Sequence, residues 1–202
     1  MDAPGIPAST DDPRFVRSRE QLHAAALTLA RDTAAADITG AALARAAGLH
    51  RSTVYQHGAD PAAIVRQALR AELDEIRAAV IDPATPDTIV AAIATSAEQV
   101  FAHIERHGPI YARELAAGTA GLGAMLAGHF AASIDLLIAH DALTPPRVTG
   151  DDDARFAATV AAALAASTVA VVTVWLADSE PRDRALLTRR WRAVLPPWWP
   201  VG

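Results

Sequence analysis

Residues 39–65 have the sequence TGAALARAAGLHRSTVYQHGADPAAIV, in which a turn separates two short helical stretches. Thr39 offers a hydroxyl that can cap the first helix, which the pattern predicts to run to about Ala47. Gly48 follows, and glycine readily takes the left-handed backbone conformation that ends a helix and turns the chain. Leu49 would then place an apolar side chain in the core. The stretch therefore predicts a helix-turn-helix.

The second helix of this motif, residues 51–57, is rich in side chains that can bind DNA. In a DNA-binding helix-turn-helix, this helix lies in the major groove. Arg can donate two hydrogen bonds to guanine, Gln can pair similarly with adenine, and hydroxyl groups commonly reach phosphate oxygens. Val54 is the residue expected to point back into the core. Together with the capping residue, the candidate DNA-binding residues are Thr39, Arg51, Ser52, Thr53, Tyr55, Gln56 and His57.

The rest of the chain is also predicted to be helical. Hydrophobic residues make up 51% of the 202 residues, with alanine dominant, and aromatic residues only 5%. Alanine is the best helix former, and β-branched runs bounded by turn signals are scarce. The predicted helices cover about 14–31, 39–47, 51–57, 60–80, 88–105, 109–117, 124–140, 155–177 and 182–195. A Gly-rich loop or loose helix start is expected at 118–123, and Pro181 is expected to open the last helix.

Charge is distributed unevenly along the chain. The formal net charge is −5, and all eighteen basic residues are arginine. Residues 14–58 carry six arginines against three acidic residues, whereas residues 59–202 carry twelve against seventeen. A mildly basic N-terminal module on an acidic body modestly favours DNA as a partner.

Several residues of the motif resemble the signature of the tetracycline-repressor (TetR) family of transcriptional regulators. They are Leu43-Ala44, Ala47-Gly48-Leu49, Arg51-Ser52-Thr53-Val54-Tyr55, His57, Asp60 and Ile64-Val65, and the resemblance covers about residues 14–66. Three positions depart from the family pattern: Gly58 replaces a usual aromatic residue, Pro61 a usual lysine, and His50 a usual serine-like cap. The resemblance implies an all-α fold of about nine helices. It would comprise a disordered tail at 1–13, a three-helix DNA-binding domain at 14–59, and an effector-binding and dimerisation bundle at 60–202.

By this resemblance the chain would be a cytoplasmic repressor and not an enzyme. It would bind a palindromic operator in double-stranded DNA as a homodimer, formed through the helices at about 155–178 and 182–195. A small, largely apolar effector would release it. Polar and aromatic residues of the bundle are the candidates for the effector pocket: Phe101, His103, His107, Tyr111, Arg113, Met125, His129 and Trp175.

Two other classes of protein stay open. One is a helical protein that binds small molecules and has no DNA function. The other is a membrane-associated protein, because residues 156–177 carry no charge and are long enough to span a bilayer. That span consists mostly of alanine, which contributes little to partitioning, and it contains several hydroxyl residues. No membrane partner is therefore predicted.

The sequence gives little support for an enzyme or a metalloprotein. GTAGLG at 118–123 follows a helix and not a strand, so it lacks the context of a dinucleotide site. His103 and His107 are spaced to share one helical face and could ligate a metal, but no third ligand is identifiable. The chain has no cysteine, which excludes thiolate sites. No metal or other cofactor is predicted.

Overall fold

The computed structural model describes residues 12–58, 60–118 and 120–200, and these contain nine α-helices and no strand. The helices are α1 (Pro13–Ala30), α2 (Gly40–Ala47), α3 (Arg51–His57), α4 (Pro61–Val80), α5 (Ile89–Arg106), α6 (Gly108–Ala116), α7 (Ala120–Ala139), α8 (Asp153–Leu176) and α9 (Arg184–Val194). A single 3₁₀ turn, Ala35–Asp37, lies between α1 and α2. The all-α fold class is confirmed.

The chain forms two packed units, which divide between Leu69 and Arg70 within α4. Unit 1 contains α1, α2, α3 and the first half of α4, and unit 2 contains the rest. The domain boundary at residues 59 and 60 stays a prediction. Most of the predicted tail lies outside the described residues, but Asp12 and Pro13 belong to the start of α1, where the Asp12 carboxylate accepts the Arg14 N–H at 2.8 Å.

The helix-turn-helix forms in unit 1 as the sequence predicts. The Thr39 hydroxyl accepts the Ala42 N–H at 3.2 Å and so caps α2. Gly48 ends α2 with φ of 67° and ψ of 29°, the left-handed conformation that a side chain disfavours. α2 packs on α1 and on α3, and the core between them buries Leu22, Leu43 and Val54. Burying each such side chain is worth roughly 1.5–3 kcal/mol.

Unit 2 is a bundle in which α7 and α8 pack along each other, and α9 packs against α5 and α8. Asp152 and Asp183 cap α8 and α9 by accepting the backbone N–H groups of Arg155 and Ala185. Trp175 is fully buried and donates from Nε1 to the Asp183 carbonyl oxygen at 3.0 Å. This bond ties the end of α8 to the start of α9.

The starts of two helices differ from the main prediction. α7 begins at Ala120, four residues before Ala124, so the alternative of a helix start within 118–123 is the correct one, and Gly121 and Gly123 are helical. Burial of Leu122 and Leu126 outweighs the poor helix propensity of these glycines. α9 begins at Arg184, because the Asp183 carboxylate provides the N-cap; Pro181 lies in the preceding segment and does not open the helix.

Two segments meet the length and hydropathy expected of membrane spans, Gly121–Ala139 in α7 and the whole of α8. Length and composition do not separate such spans from the core helices of a soluble bundle. In unit 2 the two helices pack against each other.

The turn of the motif can be tested with two glycines at opposite ends of α2. Gly48→Ala should lower the free energy of unfolding by about 1–2 kcal/mol, because alanine is strained at a positive φ. Gly40→Ala is the matched control, since a Cβ there has open space and Gly40 does not have a positive φ. Urea unfolding measures both, and equal stability of the two variants would contradict the role given to Gly48.

Candidate nucleic-acid interface and ligand cavity

α3 presents a polar face to solvent. Arg51, Ser52, Tyr55 and Gln56 are exposed, and Tyr55 is 53% exposed although it is aromatic. Val54, which faces away from Ser52 and Gln56, is 2% exposed. The helical repeat of 3.6 residues produces this separation, because residues two positions apart lie on nearly opposite sides of a helix. The packing of α3 leaves its polar side chains free to contact a ligand.

Arg51 and Tyr55 lie one helical turn apart and interact. The Arg51 Nη2 donates to the Tyr55 hydroxyl at 3.2 Å, and the guanidinium carbon lies 5.7 Å from the centre of the Tyr55 ring. These contacts hold a long, flexible side chain in place at the surface. An ordered guanidinium loses less conformational entropy when it binds.

His57 packs on α1 within unit 1. Its Nε2 lies 2.6 Å from the Ser18 hydroxyl, and its ring lies 4.0 Å from the Phe15 ring, centre to centre. Burial, together with the positive charge of Arg19, lowers the pKa of His57. The sequence did not indicate this contact, in which His57 joins the end of α3 to α1.

Gly58 ends α3 in a conformation that suits glycine. Its φ is 146°, which L-residues rarely adopt, and a Cβ there would lie 4.0 Å from Ile64 Cγ1. An aromatic residue, which the resemblance implied for this position, would strain the backbone as it stands. Glycine at this position therefore fits the observed backbone conformation.

Unit 2 contains a small cavity, in which the centre of a water-sized sphere can occupy about 80 Å³. Most of its lining is apolar, from α5, α7 and α8 and from the end of the chain around α9, and no Asp, Glu, Lys or Arg contributes. Its polar members are Ser96, His129, Ser133 and Thr168, beside the indoles of Trp191 and Trp199.

The polar groups of the cavity are only partly satisfied. Trp191 Nε1 donates to the Thr168 hydroxyl at 3.2 Å, and Thr168 in turn donates to the Leu164 carbonyl oxygen. Trp199 Nε1 is buried and has no partner among the described residues. A buried donor without a partner is costly, and an acceptor on a bound molecule would satisfy it.

The predicted pocket residues divide into three groups. Phe101 and His129 line the cavity. His103, His107 and Tyr111 lie instead in a second cluster around Glu72 of α4. Trp175, Arg113 and Met125 are not among the residues that line the cavity. All eight assignments stay predictions.

Trp191 and Trp199 also line the cavity, although they are not among the pocket residues that the sequence predicted. Both are buried, and their rings meet edge to face at 6.2 Å. Aromatic residues are rare in this chain, and large aromatic side chains contribute much to a core. Their size could therefore have indicated that both tryptophans are buried. The cavity that they border depends on which helices α9 packs against, and this was not readable from local sequence.

His129 contributes to the pH dependence of stability. Burial is the main cause of its lowered pKa; the hydrogen bond that its ring donates to the Asp74 carboxylate at 3.2 Å opposes the shift, and the charges of Arg77 and Arg70 add to it. The unfolded chain therefore binds the proton more readily. The contribution of His129 is complete above about pH 6.5 and is lost as the pH falls through its folded pKa.

We expect the free energy of unfolding to fall on acidification from pH 7.5 to 5.5, and His129→Gln to reduce that fall. The difference is at most about 1.4 kcal/mol for each pH unit below the unfolded pKa. Ser133→Ala, which removes only the hydroxyl that donates to the His129 carbonyl oxygen, controls for altered packing. Parallel pH profiles of wild type and His129→Gln in urea unfolding would contradict the assignment.

Comparison with known proteins supports the fold. No protein-family model and no curated protein matches the sequence. Among solved structures, a TetR-family transcriptional regulator from Streptomyces coelicolor matches with a TM-score of 0.61 and 22% sequence identity. The match covers 88% of this chain and 78% of that chain. The chain therefore has the fold of a TetR-family transcriptional regulator, which confirms the fold that the resemblance of residues 14–66 implied.

Proposed function

We propose that this protein is a cytoplasmic, homodimeric transcriptional repressor that binds double-stranded operator DNA through α3, and that it is a binding protein and not an enzyme. The main support for the proposal is the polar face of α3. It is exposed to solvent, whereas the apolar side chains of the helix-turn-helix are buried in a core. The mildly basic composition of residues 14–58 also favours DNA.

Each exposed side chain of the interface has a role in the proposal. Arg51 and Gln56 read base edges in the major groove, where Arg pairs with guanine and Gln with adenine. The hydroxyls of Ser52, Thr53 and Tyr55 bind phosphate oxygens, which fix the position of the helix. Thr39 and His57 already bond within unit 1, so they would add phosphate contacts from groups held in place.

The proposed dimer forms through α8 and α9. Ala158, Ala162, Ala166 and Ala170 follow each other every four residues along α8, and all are exposed. Such a stripe of small side chains allows a second helix to approach closely. Two-fold symmetry would place two copies of α3 about one DNA turn apart, roughly 34–36 Å, on a palindromic operator.

The cavity of unit 2 is the proposed effector site. Its lining carries no formally charged side chain, and His129 is held below its ordinary pKa. A charged ligand would lose its hydration without a partner, so the effector is an uncharged, largely apolar molecule. Ile81, which directly follows α4, lies in the lining. In this proposal the protein has two conformations, which differ in the position of α4 and in their affinity for DNA. An effector that binds more tightly to the conformation with the lower DNA affinity would raise its population and so weaken DNA binding.

The base-reading role predicts a loss of discrimination in two variants. Arg51→Ala or Gln56→Ala should lower the preference for an operator over unrelated DNA by ~1–3 kcal/mol, because a two-bond contact to a base is lost. The operator is first selected from random duplexes with the wild-type protein. Fluorescence anisotropy with selected and scrambled duplexes then gives the discrimination.

Two exposed residues away from α3 serve as matched controls. Arg147→Ala removes an arginine that is 87% exposed in the segment between α7 and α8, and Gln21→Ala removes an exposed glutamine of α1. Both should keep wild-type discrimination. Unchanged discrimination in both α3 variants would reject the assignment of base contacts.

The effector site predicts that filling the cavity abolishes ligand binding. Ala97 lines the cavity from α5, whereas Ala91 lies on the same helix with an exposed side chain. Ala97→Phe should weaken the binding of uncharged aromatic compounds at least about tenfold, because the ring occupies their space. Quenching of tryptophan fluorescence measures the binding through Trp191 and Trp199. Ala91→Phe is the control, and equal affinity of both variants would place the ligand elsewhere.

A further inference from the structure

A second polar cluster in unit 2 lies apart from the lining of the cavity. Glu72 of α4, His103 of α5 and His107 at the α5–α6 junction each direct a ligand atom to one point, and these atoms all lie within 4.8 Å of one another. His103 and His107 are 2% and 5% exposed. Glu72 is the third ligand that the sequence did not reveal, because 35 residues separate it from His107.

We propose that Glu72, His103 and His107 form a binding site for a divalent transition-metal ion such as Zn²⁺. The proposal concerns metal binding alone and does not require that the protein bind DNA. Two imidazoles and one carboxylate are a donor set that zinc uses in proteins when solvent or another ligand fills the remaining position. Mg²⁺ and Ca²⁺ prefer all-oxygen ligands and would bind poorly here.

The spacing of the donors fits such an ion. Glu72 Oε2 lies 3.2 Å from His103 Nδ1 and 3.0 Å from His107 Nε2. Bonds of 2.0–2.1 Å in a tetrahedral site place neighbouring ligand atoms about 3.3 Å apart. The two Glu72 distances match this value, whereas the two imidazole nitrogens, which lie within 4.8 Å of each other, would have to move up to about 1.5 Å closer to hold the ion.

The hydrogen bonding of His103 also suits a ligand. Its Nε2 lies 2.9 Å from the buried Tyr111 hydroxyl, which can donate to that nitrogen or accept from it. If His103 carries its proton on Nε2, Nδ1 has a free lone pair for the metal. The hydroxyl thus orients the ring as second-shell partners of metal-bound histidines do.

The guanidinium group of Arg106 lies among these ligand atoms. Arg106 Nη2 lies 2.8 Å from Glu72 Oε2 and 3.3 Å from His103 Nδ1. The Arg106 side chain is 59% exposed, so it can swing out into solvent and give its place to a metal ion.

The site is accessible and incompletely satisfied. A groove lined by Glu72, Arg106 and His107, among others, opens it to solvent. This groove gives an ion a path to the ligand atoms, which a binding site needs. The second ring nitrogen of His107, Nδ1, would carry the proton when Nε2 binds the ion; it is buried and has no hydrogen-bond partner among the described residues.

Metal titration of the full chain tests the proposal. The protein is prepared without a histidine tag and treated with EDTA. Zn²⁺ is titrated by calorimetry, and Co²⁺ by the visible absorption of its protein-bound form. We expect one ion per chain, no comparable binding of Mg²⁺, and a rise in thermal stability with Zn²⁺, because only the folded chain holds the three ligands together. Absence of stoichiometric Zn²⁺ binding overturns the proposal.

Three variants separate a metal site from a structural network. Glu72→Gln should weaken Zn²⁺ binding at least about tenfold. Arg106→Ala should tighten it about threefold or more, because a competing positive charge is removed. His140→Ala, at an exposed histidine after α7, should not change it.

Weaker binding in Arg106→Ala, or equal affinity in Glu72→Gln and wild type, would overturn the assignment. Circular dichroism melts establish that each variant is folded. Should Glu72→Gln fail to fold, His107→Gln takes its place with the same expected loss. Arg106→Ala is expected to bind Zn²⁺ more tightly and not more weakly, so this result does not depend on whether Glu72→Gln or His107→Gln folds.

Discussion

The proposed DNA interface depends on the burial of the Val54 side chain. A helix of seven residues is too short to be stable in isolation, so α3 exists because it packs on α2 and α1. Val54 is the residue of α3 that is buried, and its side of the helix fixes which side chains face outward. Gly48 sets the direction in which α3 leaves α2, and His57 joins the far end of α3 to α1. Four exposed polar side chains are the result of these three constraints.

Unit 2 handles buried polar groups in two different ways. Around the cavity, the polar atoms are few and neutral, and one indole N–H is left without a partner, which suits an uncharged ligand. Around Glu72, two imidazoles, a carboxylate and a guanidinium converge, which suits a cation. The proposed effector site and the proposed metal site therefore share no side chain.

The parts of the structure that were predictable from sequence are those governed by local interactions. The Thr39 cap, the Gly48 turn and the extent of α3 depend on residues within a few positions of each other, and the structure confirms them. The start of α7 was not predictable, because burial of Leu122 and Leu126 decides it against the propensity of glycine. The sites of unit 2 depend on contacts between distant segments. His103 and His107 were visible as a pair, but their meeting with Glu72 requires knowing how α4 lies against α5.

The salt dependence of DNA binding is the most direct test of whether α3 binds DNA. The equilibrium constant for the selected operator duplex is measured by anisotropy over a range of salt concentrations. Contacts between α3 and phosphates release condensed counterions. We therefore expect log K to fall linearly with the logarithm of the salt concentration, with a slope of about −0.9 for each phosphate neutralised. A flat profile, with the same affinity for operator and scrambled DNA, would contradict the account and leave a helical protein that binds small molecules without a DNA function.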